Sequence, residues 1–154
     1  MLDALQRSAF AQVIAQSQMI TASLSALHVL GFSMVMSGAF ISGLRSLGLL
    51  FVERPAMELL RPAARVLFIG VAMNILTGAL LFSPRAASAV ANIFFRTKMV
   101  LLVTAVLLQV VVLRAAIVRA RTLDDTGPGA LAGTAGLTLW IGVALAACAF
   151  ILLE

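Results

Sequence analysis

The chain holds a single histidine, His28, and that histidine lies inside an uncharged apolar stretch. Residues 25–48 read SALHVLGFSMVMSGAFISGLRSLG: the imidazole, a series of small residues, and a cation, Arg45, near the exit. A histidine in such a setting has three uses open to it. It can bridge helices by hydrogen bonds, ligate a haem iron or a metal ion, or carry protons. It sits about six residues into an apolar span beginning near Ala22, roughly 9 Å below that end at about 1.5 Å per residue.

Other polar groups fall where they could meet it. Asn74, Thr77 and Gly78 lie toward the end of a second apolar segment, and Asn92, Arg96 and Lys98 at the start of a third. In an up-and-down bundle the first and third spans run the same way, so His28 and Lys98 belong to one membrane side. The second span arrives at that side. The expectation is a polar cluster of Asn74, Thr77 and Asn92 near His28. Lys98 and Arg96 would then be cations for an anionic group, either a porphyrin propionate or a lipid phosphate; simple snorkelling of Lys98 is the plainer account.

The cofactor these residues suggest is haem b, with His28 as axial ligand, since neutral imidazole is a good iron ligand. The porphyrin would use a cleft where Gly31, Gly38 and Gly78 thin the helix faces. A second axial bond would come from Met73, Met34 or Met36, or from His28 of a second copy in a homodimer, or would be left open. Met73 lies at a depth compatible with His28.

Composition determines what kind of body holds these groups. Of 154 residues, 62% are hydrophobic and 11% charged, and the mean hydropathy is +1.12. A soluble domain carries about 25% charged residues, so this chain is built to dissolve in lipid. The net charge of +5 comes from 11 Lys and Arg against 6 Asp and Glu. Most of the cations flank apolar runs, where orientation and lipid headgroups account for them. Without a basic groove bearing stacking aromatics, nucleic acid is not an expected partner. The one cysteine, Cys148, admits no internal disulfide and no CxxC metal site. Nucleophile elbow, P-loop, HExxH, paired carboxylates and Rossmann fingerprint are all missing, and the balance leans away from an enzyme.

The elements follow from apolar length and punctuation. Residues 2–18 form an amphipathic helix with Leu2, Leu5, Ala9, Phe10, Val13 and Ile14 at helical spacing, lying in the interface and retained in the mature protein. Spans follow at about 22–44, 66–82, 92–118 and 130–153. Small-xxx-small spacings at 33/37 and 38/42 mark faces for close helix approach, and Gly70, Asn74 and Gly78 form another. Residues 45–65 are a water-side connection with a short helix starting at Pro55, 83–91 a turn, and 119–129 a loop leading into a Gly129/Gly133 GxxxG. Gln109 is a buried polar group, and Trp140 a mid-span packing residue. The fold class is all-α, one membrane domain over 1–154: an integral membrane four-helix bundle with an N-terminal amphipathic interfacial helix. Seven cations on the side of the 1–2 and 3–4 connections, against four on the other, put both termini outside.

The run from Leu5 to Gly48 resembles small bacterial four-helix membrane proteins of unknown function. Their pattern matches here as Leu27-His28, Gly31, Gly38 and Leu44-Arg45-Ser46-Leu47-Gly48, then Thr77-Gly78, Phe82, Asn92, Phe95 and Lys98. His28, Gly38, Arg45 and Lys98 also look like the layout of the four-helix membrane protoporphyrinogen oxidase of bacteria and, more distantly, the membrane domain of copper-resistance D proteins. These resemblances imply a multi-pass protein of the bacterial inner membrane with periplasmic termini, associated with haem or porphyrin, in electron transfer or porphyrin chemistry. Two further functions are expected as alternatives: a non-catalytic accessory or assembly subunit of a larger membrane complex, and small-solute or ion transport. The four-span topology is checked by cysteine labelling or protease access. Residues 56–60 and 120–126 should react from the same membrane side; reaction from opposite sides removes the four-span arrangement.

Overall fold

The structure, a computed structural model, describes residues 6–121 and 130–152, and among these the regular structure is entirely helical, without strands. Two consecutive serine caps divide the long uncharged run. Ser8 Oγ accepts from the Ala11 amide at 3.3 Å and starts α1 (Ala9–Gln16). Ser17, in extended conformation, ends α1 and accepts from the Ile20 amide at 3.3 Å to start α2 (Gln18–Ser46). Each hydroxyl satisfies one of the orphan donors of a helix N-terminus. The first span thus begins at Gln18 rather than near residue 22. α1 rests on α2, on the following long helix and on the turn that ends it, burying Ala11 and Ile14. Val13, assigned to the apolar face by spacing, points outward at 56% exposure. Residues 1–5 of the expected interfacial helix lie outside the described residues.

The exit of α2 explains the Leu-Arg-Ser-Leu-Gly run. Gly48 takes φ +72°, and the Leu49 amide donates back to the Leu44 carbonyl at 3.0 Å. That is the left-handed cap which favours glycine. Arg45 turns inward, 8% exposed, and donates to the Arg54 carbonyl at 2.8 Å, closing the connection on itself.

The second long helix, α3 (Ala56–Phe82), begins ten residues before the expected span, with Pro55 as its cap and Pro62 inside it. The expected short helix after Pro55 is its first turns. A proline in a helix interior costs about 3 kcal/mol, which favours a break on local grounds. Packing decides otherwise: Ala56, Leu60, Ala63, Ala64 and Leu67 recur at helical spacing and are all buried, while Pro62 itself stays on the exposed side.

The expected turn at 83–91 is helical too. A 3-10 turn, Ser83–Arg85, leads into α4 (Ala86–Ala91). Asn92 breaks the chain there, and α5 (Ile93–Arg121) follows. Arg119 to Arg121, expected in a loop, belong to α5. The rest of that loop, with Gly129 of the GxxxG, lies outside the described residues. The last helix is α6 (Ala130–Leu152).

Four segments are long and apolar enough to cross a membrane: α2, α3 with α4, the first part of α5, and α6. The chain is a multi-pass membrane helix bundle. Large apolar side chains such as Ile75, Leu76, Val100, Leu107 and Leu145 are exposed on its outside, as lipid contact requires. Around the bundle α3 packs closely on α2, α2 on α6, and α6 on α5, whereas α5 and α3 touch only sparingly. The core joins Val35 and Ala39 of α2, Leu67 and Val71 of α3, Ala105 of α5, and Trp140 and Val143 of α6. Trp140 is 1% exposed and is a packing residue, as its mid-span position indicates.

The α2–α3 seam is the tightest. A Cβ added to Gly70 would stand 2.6 Å from the Gly31 carbonyl oxygen, and one added to Gly38 would stand 2.6 Å from that of Ala63. Small residues admit such an approach in lipid, where no hydrophobic force drives helices together. Of the two spacings in α2, 38/42 is buried, while Ser33 and Ser37 face outward and donate to their own helix. Gly136, by contrast, has open space where a Cβ would lie. Gly70→Ala should therefore lower unfolding stability in detergent by about 1–3 kcal/mol, the usual cost of overpacking. Gly136→Ala should leave it unchanged or raise it by about 0.5–1 kcal/mol. Equal effects would mean that the seam does not depend on backbone contact.

Candidate functional site

Antiparallel packing of α2 and α3 sets the register along the seam. Gly38 meets Ala63 and Leu67, Gly31 meets Gly70, Met73 and Asn74, and His28 meets Thr77 and Gly78. His28 therefore lies at the end of the seam, half-buried, with Nδ1 2.8 Å from Thr77 Oγ1. Thr77 Oγ1 is also 2.7 Å from the Met73 carbonyl oxygen, one turn back in α3.

Counting protons assigns the histidine tautomer. The threonine hydroxyl has one proton to donate, and a carbonyl only accepts. Thr77 thus donates to Met73, and its lone pair receives the Nδ1–H of His28. The opposite assignment would leave two acceptor oxygens 2.7 Å apart with no proton between them. The neutral imidazole is accordingly the Nδ1–H form, and its free lone pair is on Nε2.

The next residue, Gly78, makes room for the ring. A Cβ there would lie 3.2 Å from His28 Cε1 and 3.7 Å from Nδ1. Lys98, on α5, is half-buried one turn from Phe95, while His28 and Thr77 come together by direct contact at this end of the bundle. Above them Phe82 at the end of α3 stacks on Phe95 at the start of α5, with ring centroids 5.5 Å apart and planes 14° from parallel. This stack spans the flank where the two helices otherwise touch little.

The remaining sequence candidates take other places. Asn92 Oδ1 accepts from the Phe94 amide at 2.8 Å and caps α5. Its role is to start that helix. Arg96 is exposed on the first turn of α5. Asn74 Nδ2 donates to the Gly70 carbonyl at 3.1 Å and packs, with the Met73 methyl, against Gly31. These two residues belong to the seam one turn deeper than Thr77. Met34 lies against Gly70, and Met36 packs on the core. The faces thinned by Gly31 and Gly38 are filled by the neighbouring helix, and that of Gly78 by the His28 ring. They form no porphyrin cleft between α2 and α3.

Sequence reasoning passed over Ser42 and Arg45 as buried polar residues; Ser42 Oγ and Arg45 Nε have no hydrogen-bond partner among the described residues. Gln109, recognised as buried and polar from its position, is 7% exposed. Among the described residues no three of His, Cys, Asp or Glu come together as a metal-binding group. Against protein-family models, curated proteins and solved structures, the chain finds no match.

Because the chain has one histidine, its tautomer can be read without assignment. In labelled protein in bilayers at a pH where His28 is neutral, the two imidazole nitrogens should give a protonated Nδ1 and an unprotonated Nε2. Thr77→Val should remove this preference, and Thr77→Ser should retain it. An Nε2–H form in the parent protein would reverse the assignment.

Proposed function

We propose that this membrane bundle binds haem b through His28 Nε2 at the His28 end of the bundle. Its work is then electron transfer or porphyrin chemistry. The observation that carries this reading is the His28–Thr77–Met73 chain of hydrogen bonds. Histidines that ligate metals generally donate their other ring N–H to an oxygen acceptor, which fixes the ring and leaves the opposite nitrogen basic. Here that support comes from a hydroxyl anchored on its own helix.

Each local residue has a task. Thr77 orients the imidazole, and Gly78 leaves room for it beside α3. Lys98 supplies positive charge for a propionate, with Arg96 exposed one turn from Asn92 for a second. Haem, when bound, supplies one-electron chemistry at a potential governed by its axial ligand and surroundings. Met73 is engaged in the α2–α3 seam, so the reading takes one axial bond from this chain. The cation distribution and the resemblance to membrane protoporphyrinogen oxidase support the same end of the bundle facing the outside of a bacterial inner membrane.

The test is an absorbance spectrum of the protein purified in mild detergent after expression with ample haem, oxidised and then reduced. A Soret band is expected, abolished in His28→Ala. A shifted reduced spectrum is expected in Thr77→Val, whose imidazole has lost its orienting acceptor. No Soret band in the parent removes the haem reading. A Soret band unchanged in His28→Ala keeps the haem and removes this ligand. A colourless protein that elutes with a larger partner favours the accessory-subunit function instead.

A further inference from the structure

The α3–α5 flank is open at the end of the bundle away from His28. The opening is a groove of about 430 Å³ lined by Arg61, Ala64, Arg65, Phe68 and Ile69 of α3 and Leu113 of α5. Its size falls within the range of about 300–1,000 Å³ usual for small-ligand sites. Arg65 and Thr77 are twelve residues apart on one helix, so roughly 18 Å separates this groove from the histidine site.

The chemistry of the lining is graded along the helix. Arg61 and Arg65 are four residues apart and share a face. Both are exposed, and neither forms an ion pair or side-chain hydrogen bond among the described residues, although Glu58 is only one turn from Arg61. One turn further, Phe68 and Ile69 make the wall apolar, and Leu113 faces them from α5. Arg114, exposed next to Leu113, adds a third cation at the same level. Guanidinium groups recognise phosphate oxygens through paired hydrogen bonds. A slot with arginines at its mouth and apolar side chains below matches an amphiphile with an anionic head and a hydrocarbon tail.

We propose that this groove is a binding site for an anionic phospholipid of the bilayer. The phosphate lies at Arg61 and Arg65, and one acyl chain runs along Phe68, Ile69 and Leu113. The lipid fills the gap that sparse α3–α5 contact leaves and ties the two helices together at this end. The site is independent of His28 and of any cofactor there.

The full-length protein, solubilised with equal amounts of phosphatidylglycerol and phosphatidylcholine bearing the same acyl chains, is examined by native mass spectrometry. Retention of phosphatidylglycerol over phosphatidylcholine on the order of tenfold is expected from two arginines at an anionic headgroup. The double variant Arg61→Gln/Arg65→Gln should bring the ratio close to one, while Arg7→Gln, which alters an exposed cation elsewhere, should preserve it. Leu113→Trp keeps every charge but fills the groove, and should lower retention of both lipids. Equal retention by the parent protein overturns the proposal, as does a preference that survives the double arginine variant. Displacement of the lipid by millimolar inorganic phosphate would make a soluble anion the occupant and overturn the assignment to a bilayer lipid. If the double variant loses its helical circular dichroism, Leu113→Trp decides: undiminished retention overturns the groove.

Discussion

Contact between the backbones of α2 and α3 governs the rest of the molecule. Gly31 faces Gly70, and Gly38 faces the carbonyl of Ala63, so closely that a single added carbon would collide with main-chain oxygen. A membrane supplies little hydrophobic force between helices, and the seam relies on dispersion and on the absence of side chains. That closeness has a geometric result. With the two axes pulled together, a threonine at the end of α3 comes within hydrogen-bond distance of an imidazole on α2. A wider helix pair would place a gap or a lipid tail between them.

The His28–Thr77 contact turns a packing arrangement into a chemical one. Threonine suits the position because its hydroxyl can donate back to Met73 one turn earlier and still accept from the ring. In an apolar setting polar groups seek partners within the protein, and along the His28–Thr77–Met73 chain the accounting leaves one atom open, Nε2. Orientation of the ring, choice of tautomer and the position of the basic nitrogen all follow from one hydroxyl whose own proton is already committed.

The bundle is uneven around its circumference. Three of its neighbouring helix pairs pack closely, and the fourth, α3 with α5, is sparse. At one end of that flank the Phe82–Phe95 stack bridges the two helices, and at the other lies the arginine-lined groove. Tight packing and open groove are thus divided between opposite sides of α3. Its inner face carries Gly70, Asn74 and Thr77, and its flank carries Arg61, Arg65 and Ile69.

Much of this was legible in the residues. Apolar length and low charge are one-dimensional properties, and they determined four spans and an all-α membrane fold before any contact was known. Position within a span identified His28, Gln109 and Trp140 as interior groups, and the shared direction of alternate spans brought His28 and Lys98 to one side. Punctuation was less dependable. Pro62 and the 83–91 segment read as breaks because local propensity disfavours helix there, yet the buried face of Ala56, Leu60, Ala63 and Leu67 carries α3 through the proline. Only the tertiary structure decided which polar groups meet. Asn74, Thr77 and Asn92 are equivalent as a list of types, but one packs in the seam, one holds the imidazole and one caps a helix. The difference lies in rotation and register between helices, which depend on glycine-to-backbone contacts far apart in the chain. For the same reason the glycines that suggested a cleft are the places where the helices close on each other.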